Sequence, residues 1–368
     1  MNTYGRIYEK FSFMKLLRLK SFFLTCRFPF VVSNLGRIYE LSTKILGRRI
    51  VNNLIKNTYG DIFLAGENCK DLENLLKLIK KEGLISIADY AREFLTKEEE
   101  EKDIGEIIIH YKDSIDASSR VDKENSIAMK ISSFGDVETL KYLNACQFTL
   151  TLIEKNIDKS YQELLDIMEG HKLDVKLSQL NYEKLRNMQG KVFSLNFYEL
   201  LLSENEDDIY LIKSLLGIRC KQFSVFKKFA QKLNERLMQV FSHAEKSKCL
   251  VMVDAEQSYL RYISDMIVAY YFKMFNNDSC IIAQTLQCYL KTQQQDLLKW
   301  YEFTQSHNLK FGLKIVRGAY MNEEENIAKR KGIDSNINDN IESTHSHYNK
   351  SIDFLFNHYK NGDKVSFL

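Results

Sequence analysis

The chain has 368 residues, 45% of them apolar and 27% charged, with a formal net charge of +3. That length can bury a large core as one big domain or two ordinary ones, and the composition is ordinary for a soluble globular protein. The small net charge leaves no nucleic-acid footprint. Seven cysteines, scattered without a Cys-x-x-Cys pair, read as small buried residues of a reducing compartment rather than disulfides or a zinc site.

Residues 1–50 carry ten Lys/Arg against Glu9 and Glu40 only, with Phe11, Phe13, Leu16, Leu17, Phe22 and Phe23 interleaved. The longest charge-free stretch there is too short to span a bilayer, and no clean apolar core of a secretory signal is present. A basic, acid-poor start over residues 1–30 reads either as a mitochondrial transit peptide or as a basic surface helix. Beyond it Leu35, Ile38, Leu41, Ile45 and Leu46 recur at helical spacing. Residues 31–82 are therefore expected to form a helical arm, whose amphipathic helix packs on the rest of the chain or lies on a membrane surface. A helix is predicted over 71–81.

Gly83-Leu-Ile-Ser-Ile-Ala-Asp-Tyr90 reads as a first strand, with Glu93 just past it heading an acidic segment at 98–101. Ser126-Ile-Ala-Met-Lys-Ile-Ser-Ser133 reads as a second strand with Lys130 inside it. An ammonium group buried without a partner is costly, so Lys130 either faces a ligand carboxylate at a strand end or points out to solvent. From Ile127 to the next apolar run at Leu250 is 123 residues, far more than one crossover helix needs. Phe223, Phe226, Ala230, Leu233, Leu237, Val240, Phe241 and Ala244 form one stripe at steps of three and four. A helix over about 218–246 is expected to supply the crossover, and about 145–215 an inserted helical subdomain. No Asp-x-Asp-x-Asp-Gly calcium loop occurs.

Leu250–Val253 then runs straight into Asp254, Glu256 and Gln257. Cys280–Tyr289 is a second such run, carrying Gln287, and Gly312–Tyr320 a third, carrying Lys314 and Arg317. The starts Leu250, Ile281 and Leu313 lie 31 and 32 residues apart, with helical segments at 258–275 and 293–309 between them. Taken alone, the first run reads as a buried strand leading into the polar start of a helix. Together, one strand and one helix per roughly 30 residues is the repeat of an α/β eight-fold barrel, which keeps its site at the C-terminal strand ends. The expected fold is thus a (β/α)8 TIM-type barrel over 83–368. No Gly-x-Gly-x-x-Gly follows any strand, which disfavours a Rossmann-bound dinucleotide. His345-x-His347 faces apart on a helix and lacks a third ligand, so it reads as surface and no metal site is expected.

Val-Asp-Ala-Glu-Gln (253–257), Gln-Cys-Tyr-Leu-Lys (287–291) and Val-Arg-Gly-Ala-Tyr (316–320), in this order and spacing, resemble proline dehydrogenase of the mitochondrial type. The resemblance covers about residues 30–368. It implies FAD-dependent oxidation of L-proline to 1-pyrroline-5-carboxylate, with electrons passed to a quinone. It also implies a place on the matrix side of the mitochondrial inner membrane, compatible with peripheral association. By resemblance, Lys130 holds the proline carboxylate, and Glu93 pairs with a substrate-binding arginine to gate the pocket. Asp254 is an acidic residue at the reacting centre, Ala255 adjoins the cofactor, and Gln287 hydrogen-bonds the isoalloxazine. Lys314, where many relatives have arginine, sits near flavin N5, where a cation stabilises the reduced anionic flavin. Arg317, Gly318 and Ala319 approach the phosphates and ribityl chain, and Thr344 and Tyr348 match residues near the pyrophosphate. The sequence departs from the family at its end. Lys364-Val-Ser-Phe-Leu368 resembles the opening of a sixth strand, while the resemblance calls for two further strands and a helix carrying a tyrosine and paired arginines. The alternative expectation is a catalytically dead, truncated barrel kept as a binding or regulatory protein.

Overall fold

The chain forms two units, Met1–Leu78 and Ile79–Leu368; the structure, a computed structural model, describes residues 11–60, 63–92, 97–171, 178–187, 195–362 and 365–367. In the first unit, helix α1 (Phe13–Cys26) starts at Ser12, whose hydroxyl accepts from the Lys15 N–H at 3.3 Å. Pro29 opens α2 (Pro29–Ser33), where its missing N–H is not needed. Helix α3 (Leu35–Leu46) ends at Gly47, whose φ of 82° suits glycine, and the chain turns back into α4 (Arg48–Ile55). The Tyr39 hydroxyl donates to Asn52 Oδ1 at 2.9 Å and ties the two helices together. Leu35, Ile38, Leu41 and Ile45 share one arc of α3, with Arg37 and Lys44 along its flank. That arc stays open, with Ile45 79% exposed. Helix α5 (Cys69–Lys81) follows.

The second unit is built on six parallel strands that neighbour one another in chain order. They are β1 (Ile87–Asp89), β2 (Ser126–Met129), β3 (Leu250–Val253), β4 (Ile282–Gln287), β5 (Phe311–Val316) and β6 (Val365–Phe367). Parallel strands in sequential order, with helices on every return, are the arrangement of a (β/α) barrel. Every residue of β2 and β4 is buried, as strands covered on both faces demand. Two strands are shorter than their apolar runs suggest. Leu84 and Ile85 stay exposed ahead of β1, and β2 stops at Met129 because Lys130 leads into a 3₁₀ turn, Ile131–Ser133.

Helix α6 (Lys97–Val121) returns β1 to β2. After β2 come α7 (Val137–Asn156), α8 (Tyr161–Gly170), α9 (Gln179–Asn187), α10 (Phe197–Leu202), α11 (Glu206–Leu215) and α12 (Cys220–Ser247). All eight residues of the predicted stripe on α12 are buried, and the helix packs beside α6 and against β3. Helix α7 begins at Val137 because Asp136 caps it by accepting from the Thr139 N–H at 2.9 Å. Gln147 on α7 pins the far end of the helical excursion. Its Nε2 donates to the Leu195 carbonyl at 2.9 Å and its Oε1 accepts from the Phe197 N–H at 2.7 Å. Asn196 adds a bond to the Met266 carbonyl at 2.8 Å on α13 (Ser258–Phe275). Helices α14 (Gln293–Ser306), α15 (Met321–Lys331) and α16 (Ile341–Lys360) complete the described layer.

A polar seam runs between β4 and the helices behind it. Gln284 Nε2 donates to Asp265 Oδ1 on α13 at 2.5 Å, while Arg261 pairs with Asp296 of α14. Burial pushes the Asp265 carboxyl up to about 6; Arg261 opposes the shift and Asp296 adds to it. Asp265 thus holds its proton more tightly in the folded chain than in the unfolded one. Its contribution to stability is complete below about pH 4 and lost as pH rises through about 6. Asp265→Asn should flatten that fall and melt above the parent at neutral pH and beyond. Thermal melts across the acid range check this; a variant profile parallel to the parent's would contradict it.

Candidate active site

Strand register decides which side chains meet. Met129 pairs with Val253, Val253 with Gln284, and Gln284 with Leu313. Because side chains alternate along a strand, the next residues, Lys130, Asp254, Thr285 and Lys314, share the opposite face and form one layer inside the sheet. Thr285 and Lys314 are register partners. Gln284, one residue back, points out to the helix layer.

In that layer Asp254 bridges two lysines. Lys314 Nζ donates to Oδ1 at 2.5 Å, and Lys130 Nζ to Oδ2 at 3.3 Å. Asp89, at the end of β1, lies 4.0 Å from Lys130 Nζ. The Lys130 side chain is only 10% exposed, so the partner that a lysine in an apolar strand requires is supplied by the chain itself. The backbone fixes the neighbours, since the Asp254 N–H donates to the Met129 carbonyl at 2.8 Å. Lys130 and Lys314 thus face Asp254 and, at the edge of the cluster, Asp89, at the C-terminal end of the sheet.

Gln287, at the end of β4, is buried, and its Nε2 donates to the Glu256 carbonyl at 3.2 Å. It also borders a cleft of ≈ 180 Å³. Ala255 is half-buried beside Asp254. Beyond β5 the chain leaves the sheet. Arg317 is exposed, with its Nε donating to His345 Nδ1 at 3.0 Å and its guanidinium 4.2 Å from the centre of the Tyr348 ring. Thr344, in the first turn of α16, is buried and accepts from Asn338 Nδ2 at 3.2 Å. Gly318 has φ of 121°, and a Cβ there would overlap the Tyr289 ring. Packing against Tyr289 therefore already demands glycine, without any ligand. Ala319 beside it is exposed. Glu93 lies outside the described residues.

The donor set fits a flavin dinucleotide. Inside, Gln287 and Lys314 offer an amide and a cation, and the buried Thr285 Oγ1 has no hydrogen-bond partner among the described residues. Outside, Arg317 and His345 place donors and charge at the N-terminal end of the 20-residue α16, a favourable site for phosphate.

A family model for proline dehydrogenase matches residues 72–366. The chain belongs to the proline dehydrogenase family. Proline dehydrogenase 1, mitochondrial, of Dictyostelium discoideum is 26% identical over 338 residues, covering 91% of this chain and 52% of that protein. The Homo sapiens protein of the same name is 24% identical, covering 92% of this chain and 69% of that one. The chain thus spans about half to two thirds of these two relatives. Proline utilization A (PutA) from Bdellovibrio bacteriovorus, inactivated by N-propargylglycine, superposes with a TM-score of 0.52 at 13% identity, over 86% of this chain and 26% of that one. That likeness shows the fold, a TIM-type α/β barrel architecture. No helix among the described residues is long and apolar enough to cross a membrane.

Sequence reasoning passed over Ser132 and gave Glu256 no role. The Ser132 N–H donates to Glu256 Oε1 at 3.1 Å and its hydroxyl to Oε2. Only the barrel register, which brings residues 124 apart into contact, could have pointed to them. The ion cluster makes its own prediction. Asp254→Ala leaves two ammonium groups facing one another, so the melting temperature should drop by the equivalent of about 1–3 kcal/mol. Acetate should restore part of the loss and chloride at equal ionic strength less. Melts in the two salts measure it; an unchanged melt would show that the bridge contributes nothing.

Proposed function

We propose that the chain binds L-proline at the C-terminal mouth of its sheet and oxidises it to 1-pyrroline-5-carboxylate with FAD, as a step of proline catabolism. The observation that carries this reading is Asp254 holding Lys130 and Lys314 in one inward layer of a chain of this family. Oxidation removes a hydride from the ring carbon beside nitrogen and a proton from the nitrogen, leaving a cyclic C=N bond. Bound FAD supplies the acceptor for that hydride.

The residues take the following parts. Lys130 donates to the substrate carboxylate, and Asp254 pairs with both ammonium groups and keeps them aimed into the mouth. Gln287 and Ala255 hold the flavin ring, and Lys314 places positive charge beside it. Arg317, Gly318, Ala319 and Thr344 face the phosphates and the ribityl chain. Glu93 gates the pocket.

Electrons pass to a quinone in the mitochondrial inner membrane, on whose matrix side the chain sits peripherally. The names of the two relatives support the organelle, and the open apolar arc of α3, flanked by Arg37 and Lys44, supports an interfacial helix. Residues 1–30 serve as the targeting segment, 31–82 as the helical arm and 83–368 as the barrel, with the insertion at about 145–215.

The chain purified with FAD should be yellow and should reduce an artificial electron acceptor with L-proline, and should not reduce NAD. Colourless, inactive protein from several hosts would sink this reading; folded but inactive protein would favour a binding or regulatory barrel. Residues 1–30 fused to a fluorescent protein should deliver it to mitochondria. Diffuse cytosolic fluorescence would instead mark them as a basic surface helix.

A further inference from the structure

Glu256 is 3% exposed, yet it lies two residues past Asp254, where the chain has already left β3. A carboxylate in so dry a place is retained only with hydrogen-bond donors around it. Two of these come from Ser132, whose backbone N–H and hydroxyl both bond to it. Ser132 is two residues past Lys130, in the 3₁₀ turn that ends β2. The next residue, Ser133, reaches the other way, its hydroxyl donating to the Arg92 carbonyl beyond β1 at 2.5 Å. On its far side, the main-chain carbonyl of Glu256 takes the Gln287 amide at the end of β4.

We infer that Glu256 is a positioning residue: its carboxylate locks the turn after Lys130, and its carbonyl locks Gln287, so that substrate-side and cofactor-side groups keep one geometry. The inference rests on the proposed proline and flavin sites for its consequences, but the lock itself is a statement about this chain's own residues. Two independent backbone paths leave the layer, one through Lys130 and the 3₁₀ turn, the other through Asp254 and Ala255. The Asp254 N–H on the Met129 carbonyl ties them where they leave the strands, and beyond that point each runs into a loop. The two Ser132–Glu256 hydrogen bonds close those paths into a ring that contains both Lys130 and Asp254. Side chains held to within about an ångström matter because a misplacement of that size lowers rates by as much as about 10²-fold.

The variants are Ser132→Ala, Glu256→Gln and Glu256→Ala. Glu256→Gln keeps the shape and one oxygen acceptor, so it should behave between the parent and Glu256→Ala. The first readout needs no ligand. Brief acylation of the purified full chain, followed by peptide mass spectrometry, reports how well each lysine is shielded. Lys130 labelling should rise about tenfold in Ser132→Ala and Glu256→Ala, the order of effect of losing a supporting hydrogen bond. Labelling of Lys299, paired with Glu154 in the helix layer, and of surface Lys248 should stay at parent level. A rise at Lys130 and Lys299 alike would mean general loosening, and no rise at all would mean that Glu256 holds nothing in place; either overturns the inference.

The second readout is FAD titration by flavin fluorescence, with the visible band of the bound flavin recorded. Glu256→Ala should shift that band, because the main-chain carbonyl that Gln287 donates to is then carried on a segment without its carboxylate anchor to Ser132; an unshifted band in a variant that binds FAD would overturn the cofactor side of the inference. A parent chain that binds no FAD sinks the proposed function, and the acylation experiment still decides the lock.

Discussion

One carboxylate between two ammonium groups governs the C-terminal end of this sheet. Asp254, Lys130 and Lys314 come from the ends of β3 and β2 and from within β5, and none of them is at ease alone in an interior layer. An unpaired ammonium there would be neutralised or driven outward, and an unpaired carboxylate likewise. The cluster therefore exists only while the three strands hold their register. A slip of one residue in β5 would turn Lys314 toward the helices and bring an apolar residue to Asp254. Register and charge balance enforce one another, and the pairing of opposite charges is a property of the strand register as much as of the residues.

The same alternation gives β4 two polar roles on a strand with no exposed residue. Gln284 faces out and holds Asp265, while Thr285 and Gln287 face in toward the cluster. Polar groups on both faces of a buried strand are costly unless each finds a partner. Gln284 and Gln287 find theirs in a carboxylate and a carbonyl, and Thr285 Oγ1 alone is left over on the inner face. Against β5, Gly312 allows the backbones to approach closely, since a Cβ there would run into Cys280 and the Ile282 carbonyl. The tight seam between β4 and β5 is thus what brings Lys314 level with Thr285.

Much of this was legible in the sequence, for physical reasons that also mark where legibility ends. Strands buried on both faces read as short apolar runs, and polar residues at their ends stood out against them at a spacing of 31 and 32 residues. The stripe on α12 was equally plain, because a helix packed along one side must repeat at three and four. Strand ends were less visible. The run Ser126–Ser133 looks uniformly strand-like, and only the bonds made by Ser132 and Ser133 convert its second half into a turn. The start of α7 was hidden by the same kind of blindness, since the cap on Asp136 is local and weakly patterned. Glu256 was visible as a letter in a motif, but its meaning lies in a partner 124 residues away. Side chains that act through distant loops leave no periodic trace.

The stretch Lys314–Gly318 shows how one short segment serves two surfaces. Lys314 is still in the strand and faces inward, where its charge is spent on Asp254. Val316 ends the strand, and Gly318, at φ of 121° and pressed against Tyr289, bends the chain away. Arg317 therefore emerges at the surface, three residues from Lys314 but in contact with His345 and Tyr348 of α16. The difference in residue type follows the difference in place. Lysine, a compact point charge, suits a crowded interior layer, where one ammonium meets one carboxylate oxygen. Arginine, planar and forked, suits the open end of a helix, where it can stack on an aromatic ring and still present free edges to an anion. Exchanging the two would put a fork where there is room for a point and a point where two flat partners await a plane.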